Sequence, residues 1–342
     1  LLLAACGYTT RYQEAKHVIV VADSLDQNEH LLYPDTATLQ QTIRTLDNPF
    51  GRLFAHNTLG KAHYYMGRHL SLNDQITQAA AHYIAADRAQ IDDPIYRGRI
   101  NSCMAHICKQ NESDSLALIF FERANNDFKL SGNEWYYAHS LLDVSEYNLY
   151  LHYFSRADSI LKLAETYTTD DMYLARFYET KGLYFYELQQ YDSALVYFKK
   201  GLPLWQHEEY RLYSYMKIMQ VYLDMDSLAQ ALPYAQSIIH NTQNPTFLVN
   251  AYYCMMQDAN AKNDTKRLSE YSHARADAEK SLRDYVSISA ETVPKFSEYL
   301  SNPYPFRWVW ILISCIIGIC LLLVLGIMLF RRYSLSRMQV AH

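Results

Sequence analysis

The chain has 342 residues, a formal net charge of −5, and no basic stripe interleaved with aromatic residues, which excludes an electrostatic nucleic-acid binder. Ten Gly and nine Pro are too few for a sheet-rich fold with many tight turns, and they permit long helices. Only three of the six cysteines, Cys103, Cys108 and Cys254, lie between residue 7 and the apolar C-terminal run. That excludes a disulfide framework. Cys103 and Cys108 stand five apart in a helical stretch, a poor geometry for a mutual bridge, and read as reduced or buried thiols.

Residues 1–6, Leu-Leu-Leu-Ala-Ala-Cys, resemble a bacterial lipobox: an aliphatic residue, two small ones and the cysteine that receives lipid. The leucines look like the end of a lipoprotein signal peptide. The resemblance implies lipid attachment at Cys6 and export of the residues after it.

From residue 11 to 285 apolar residues recur at spacings of three and four, the period of amphipathic helices. The clearest unit is 172–203. A first helix runs to about Gln189, with Tyr178, Gly182 and Phe185 on one face. After a turn at Gln190–Tyr191, Asp192 and Ser193 are positioned to cap a second helix carrying Ala194, Phe198 and Gly201. Alanines repeat at 157, 194 and 231, each 37 residues from the next, and Leu268 continues the series. Forty residues upstream of Ala157 lies Ala117, with Phe121 and Ala124, after a capping run Asn111–Asp114. Leu59, Gly60, Tyr64, Ala80, Ile84 and Ala85 make an earlier unit, and residues 11–47 a degenerate one.

This small-and-aromatic pattern resembles the tetratricopeptide repeat, although that family's period is 34 and the spacing here implies longer helices or turns. The resemblance implies an all-α solenoid of antiparallel helix pairs over 11–285, each pair burying its apolar face against the next. Thirty-one tyrosines at helical spacings read mainly as packing, ring inward and hydroxyl at the edge, with a tyrosine platform for sugar or peptide as the sharper alternative.

Residues 286–307 carry Pro294, Pro303 and Pro305 and read as a short stalk. Residues 308–330 hold no charge, Asn, Gln, His or Pro. As a helix these 23 residues reach ~34 Å, enough to cross a ~30 Å hydrocarbon core, so they predict a transmembrane helix. Arg331, Arg332 and Arg337, with no acid in the tail, place residues 331–342 in the cytoplasm by the positive-inside rule. Lipobox and arginines agree on a single-pass protein of the bacterial inner membrane with an external solenoid. Ser314, Gly318 and Gly326 lie roughly along one face, a candidate surface for homodimerisation in the bilayer.

No motif carries catalysis. There is no P-loop, and His207-Glu208-Glu209-Tyr210-Arg211 begins like a zinc-protease helix but ends in Arg where the second ligand is needed. His56 and His63 share a helix face without further ligands. The chain therefore reads as a non-enzyme with no cofactor and no metal. In tetratricopeptide arrays the first helices line the groove. The matching positions are Arg99, His106, His139, Glu146, Arg176, Glu179, Tyr186, Tyr213, Gln220 and Asp224, a mixture of charge and aromatics suited to a protein or peptide ligand. The order of signal, array and membrane helix is similar to bacterial sensor-regulators, which implies a receptor in envelope sensing. The alternative is a passive envelope scaffold that holds partner proteins near the membrane. A third class, a carbohydrate-capturing lipoprotein, suits the tyrosines but not the C-terminal membrane helix.

Overall fold

The computed structural model describes residues 2–27, 34–167, 170–289 and 291–302. All secondary structure among them is helical. Two compact units divide the chain, Leu1–Ser297 and Glu298–His342. The described part of the second is residues 298–302.

Three N-terminal helices, α1 (Leu2–Gln27), α2 (Thr36–Leu46) and α3 (Pro49–Phe54), precede six helix pairs. The pairs are α4 (His56–Leu72) with α5 (Ile76–Arg88), α6 (Pro94–Gln110) with α7 (Asp114–Ser131), and α8 (Glu134–Tyr150) with α9 (Phe154–Ala164). They continue as α10 (Asp171–Glu187) with α11 (Tyr191–Gly201), α12 (Glu208–Asp224) with α13 (Leu228–Asn241), and α14 (Pro245–Ala261) with α15 (Thr265–Ser289). A last helix, α16, spans Thr292–Ser301.

Each of the six first helices is 17 residues long. Each ends in the same turn. Asp74, Glu112, His152, Gln189, Asp226 and Asn263 all take left-handed φ between 52° and 59°. In the α10–α11 turn the Gln189 N–H donates to Tyr186 O and the Gln190 N–H reaches back five residues to Phe185 O, both at 2.8 Å. The same two bonds recur in the other five turns, for example Asp226 to Leu223 O and Ser227 to Tyr222 O. This is a Schellman motif, which satisfies two orphan carbonyls and reverses the chain in a fixed number of residues. Successive left-handed residues are 38, 40, 37, 37 and 37 apart. The long 40-residue step has a local cause: α7 runs 18 residues and closes with a further left-handed residue, Gly132.

The tight turn also revises the expected capping. α11 starts at Tyr191, its N-cap position is Gln190, and no side chain caps it. Asp192 and Ser193 lie inside its first turn, where the Asp192 charge still complements the helix dipole. Likewise Asn111 ends α6, and Ser113 precedes α7 without a side-chain bond. Side-chain caps sit at Asp93, Asn133, Asp170 and Asn244 on first helices, and at Asp264, whose carboxylate accepts from the Arg267 N–H at the start of α15.

Ala157, Ala194 and Ala231 are fully buried. Ala194 packs among Leu149, Leu183, Phe198, Ile218 and Val221, residues drawn from three pairs, so the core is continuous from one pair to the next. Gly182 lets α10 approach α11: a Cβ there would lie 2.6 Å from the Phe198 ring. At the N-terminal end Asp23 of α1 is held by Lys61 at 2.7 Å, Tyr65 at 2.8 Å and Tyr96 at 2.6 Å. These bonds tie α1 to the first helices α4 and α6.

α15 and α16 occupy most of the described part of the stretch expected to be a stalk, and Pro294 is tolerated as the third residue of α16, where it breaks no intrahelical bond. Thr292 and Phe296 are fully buried. The Phe296 ring lies 5.3 Å from Phe120 of α7, edge to face, and the Thr292 and Thr77 hydroxyls are 3.1 Å apart. Cys108 and Cys254 are buried, Cys103 is half-buried, and none of the three is in a disulfide. Among the described residues no helix is long and apolar enough to cross a membrane. The segment 308–330 with Ser314, Gly318 and Gly326, the tail 331–342 and the Cys6 side chain lie outside the described residues.

Two substitutions check this packing. Gly182→Ala should cost about 1–3 kcal/mol by driving a methyl into Phe198. Gln189→Gly should stabilise the chain by up to about 1 kcal/mol by relieving the left-handed backbone. Thermal or urea unfolding reads both. Equal midpoints for Gly182→Ala and the parent would contradict the close α10–α11 contact.

Candidate functional site

The 37-residue period places equivalent positions of successive first helices beside one another. Arg176 lies 37 residues after His139, and its Nη1 is 3.3 Å from the His139 Nδ1. Lys109 lies 37 residues before Glu146, and their charged groups are 3.3 Å apart. Side chains of α8, α10 and α12 thus meet in a small open cleft. Glu146 comes from α8; Arg176, Glu179, Thr180 and Leu183 from α10; Phe198 from α11; Tyr213 and Lys217 from α12.

Four of the ten groove candidates, Glu146, Arg176, Glu179 and Tyr213, line this cleft together. The other six do not. His139 is buried, with its ring 4.2 Å from Trp135 and 5.3 Å from Tyr173, because Trp135 one turn earlier folds over it. Burial and the neighbouring Arg176 hold its imidazole down at about 4, so it is neutral, and Nδ1 accepts from the guanidinium. It positions Arg176 rather than facing a ligand. Arg99 lies over the rings of Tyr64 and Tyr96, at 5.1 and 5.6 Å. His106 is exposed at the edge of Phe121. Tyr186 and Gln220 both donate to Asp224, at 2.7 and 3.0 Å, and form a separate group.

Lys217 of the cleft and several residues that hold its lining side chains escaped sequence reasoning. Asp143 forms an ion pair with Arg176. Lys217 lies 5.1 Å from the Tyr213 ring centroid. Trp205 donates its indole N–H to Glu179 Oε1 at 3.0 Å, and Ser214 donates its hydroxyl to the same oxygen. The period held a signal for some of these. His106, Asp143, Thr180 and Lys217 stand 37 apart in one register, so His106 as a candidate implied Asp143 and Lys217. Nothing in the sequence pointed to Trp205, which follows a single 3-10 turn and folds back on α10.

The two glutamates of the cleft differ in charge state. Burial would raise Glu146, but Lys109, Arg176 and Lys217 outweigh it and hold the carboxyl at about 2. Burial raises Glu179 to about 7, more than the Ser214 and Trp205 hydrogen bonds lower it. Burial pulls Lys217 down, yet Tyr213 and Glu146 leave it raised, so it stays cationic. The cleft can therefore offer an ammonium, a guanidinium, a permanent carboxylate and a carboxyl that loses its proton near neutrality. Among the described residues no group of three or more His, Cys, Asp or Glu side chains is arranged to hold a metal. His56 pairs with Asp92 at 3.4 Å, while the His63 Nδ1 faces the His82 Nδ1 at 2.9 Å.

No family profile matches the chain, and no curated protein matches it. Solved structures do. A Rap protein complexed with competence and sporulation factor is 14% identical, with a TM-score of 0.53 over 87% of this chain and 97% of that one. A tetratricopeptide repeat protein from Parabacteroides merdae is 12% identical, with a TM-score of 0.53 over 81% of this chain and 99% of the other. The apo quorum sensor NprR from B. thuringiensis is 13% identical, with a TM-score of 0.55 over 84% and 87%. The fold is a tetratricopeptide-type α-solenoid. Identities this low establish the fold alone.

Glu179 supplies a pH test. Its folded-state carboxyl stands above its ordinary value of 4.5, so the folded chain binds the extra proton and loses stability as pH rises from about 4.5 to about 7. Glu179→Gln keeps an acceptor for Trp205 and Ser214 and removes the charge. Relative to the parent, the variant should gain stability between pH 5 and pH 8, by about 3 kcal/mol at most. A difference in melting temperature that does not change with pH would show that Glu179 is not raised.

Proposed function

We propose that the chain is a membrane-anchored, non-catalytic receptor whose exported solenoid binds an extended protein or peptide segment along its first helices. The observation that carries this reading is the convergence of Glu146, Arg176, Glu179 and Tyr213, from three successive first helices, on one open cleft. Rigid elements spaced by the repeat present alternating charges and aromatic rings, the surface that polypeptide recognition uses. Solved solenoids of the same fold include a Rap protein holding competence and sporulation factor and the quorum sensor NprR, which supports a ligand-binding role. Peptides selected from a random displayed library against the full chain test it. Lys217→Glu, in the cleft, should weaken the selected peptides at least about tenfold, whereas Lys200→Glu on α11 should leave them unchanged. The opposite pattern would move binding off the first-helix face.

The membrane part of the proposal rests on residues 308–330, the arginines after them and the lipobox-like start. The lipid bilayer is then a partner at both ends: Cys6 carries lipid, and residues 308–330 cross the inner membrane with the tail inside. Single cysteines at Ser301 and Ser336 check the orientation in intact cells. An impermeant thiol reagent should label position 301 and spare 336. The reverse pattern would put the solenoid in the cytoplasm and remove the external-receptor reading.

A further inference from the structure

Most charges of the cleft are paired with one another. Glu146 faces Lys109, and Arg176 faces Asp143. Two charges are left over. Lys217 makes no ion pair among the described residues; it feels the Glu146 carboxylate only at longer range and rests against Tyr213 and over the ring of Tyr150 at 5.8 Å. Glu179 has no cation within ion-pair distance among the described residues. Both of its hydrogen bonds, from Trp205 and Ser214, end on Oε1, so Oε2 accepts neither of them, and Glu179 lines the cleft. The two groups line the same cleft and form no ion pair with each other; the Lys217 charge acts on Glu179 at longer range and does not outweigh burial of its carboxyl.

Resting on the polypeptide-binding reading above, we infer that this cleft recognises a neighbouring pair of opposite charges on the bound chain, an ammonium seated on Glu179 Oε2 and a carboxylate on Lys217. A partly desolvated charge lacking a partner is unfavourable, and a ligand group of opposite sign relieves it. A ligand with one charge leaves the other pole bare, and a ligand with the signs exchanged meets repulsion at both. Selectivity therefore comes from the pair. Alternate residues of an extended peptide point the same way, so a lysine and a glutamate two positions apart present both charges to one surface. Leu183 and Phe198 form the apolar part of the cleft lining.

The ammonium contact should also depend on pH. Glu179 is faced by Glu146 from α8, by Arg176 on its own helix, by Ser214 and Lys217 from α12, and by Trp205. Burial raises its carboxyl to about 7, so the negative pole exists above that pH and disappears below it.

The probe is a set of blocked pentapeptides with lysine and glutamate two apart, in both orders, and their partners with norleucine for lysine or glutamine for glutamate. The reporter is the Trp205 indole, which donates to Glu179. The full chain is labelled with 5-fluorotryptophan, and the Trp205 resonance is assigned by its loss in Trp205→Phe. One doubly charged order should shift that resonance, and neutralising either charge should weaken binding at least about tenfold. The advantage of lysine over norleucine should vanish in Glu179→Gln and at pH 5. The advantage of glutamate over glutamine should vanish in Lys217→Met. Neutral and charged probes that bind alike would overturn the inference. If no probe moves Trp205 but a library-selected peptide does, the charge pair falls and the polypeptide-binding reading stands. If neither moves it, both fall.

Discussion

The rest of the molecule depends on one backbone constraint, the left-handed residue that closes each 17-residue first helix. Six times the chain leaves a helix through the same pair of backbone bonds and starts the next within two residues. The turn fixes where the second helix begins, and hence which of its residues face the first. None of the six residues is Gly, so each turn carries some backbone strain, held by the Ala, Leu and Phe contacts on both sides. A looser turn would let the second helix slide, and the small residues at 182 and 194 would no longer oppose Phe198 and the neighbouring pair.

Constancy of that turn is what turns sequence period into spatial register. Equivalent first-helix positions stand side by side, so Lys109 meets Glu146 and His139 meets Arg176 across 37 residues. Ion pairs in this setting are partly desolvated, and each must be matched closely to offset the loss of water. The cleft satisfies this for Glu146 and Arg176 and leaves Glu179 and Lys217 outside any ion pair among the described residues. Trp205 and Ser214 hold one oxygen of Glu179 in place, which gives its carboxyl a defined direction.

The ends of the stack are secured differently. Asp23 of α1 accepts hydrogen bonds from two tyrosines and a lysine, a polar clasp onto α4 and α6. α16 uses an apolar clasp, Phe296 on Phe120, to return to α7. Phe296 thus fastens the start of α16 to an early pair rather than only to the last one.

The sequence by itself determined the helical class, the pairing and the period, because apolar spacing of three and four and alanines 37 apart are local consequences of burying one helix face. Ala157, Ala194 and Ala231 show this: each is small where a neighbouring helix must pass close. The same period carried Glu146, Arg176, Glu179 and Tyr213 into one cleft. Tertiary structure decided the rest. His139 had the right register but is covered by Trp135, since side chains one turn apart on a helix compete for the same surface. Asp192 had the right chemistry for a cap, but the Schellman turn starts α11 too early to use it. Trp205 and Phe296 act on helices remote in sequence, and no local pattern encodes a contact made by folding back. Which charges find partners depends on distances between helices, and those exist only once the stack is formed.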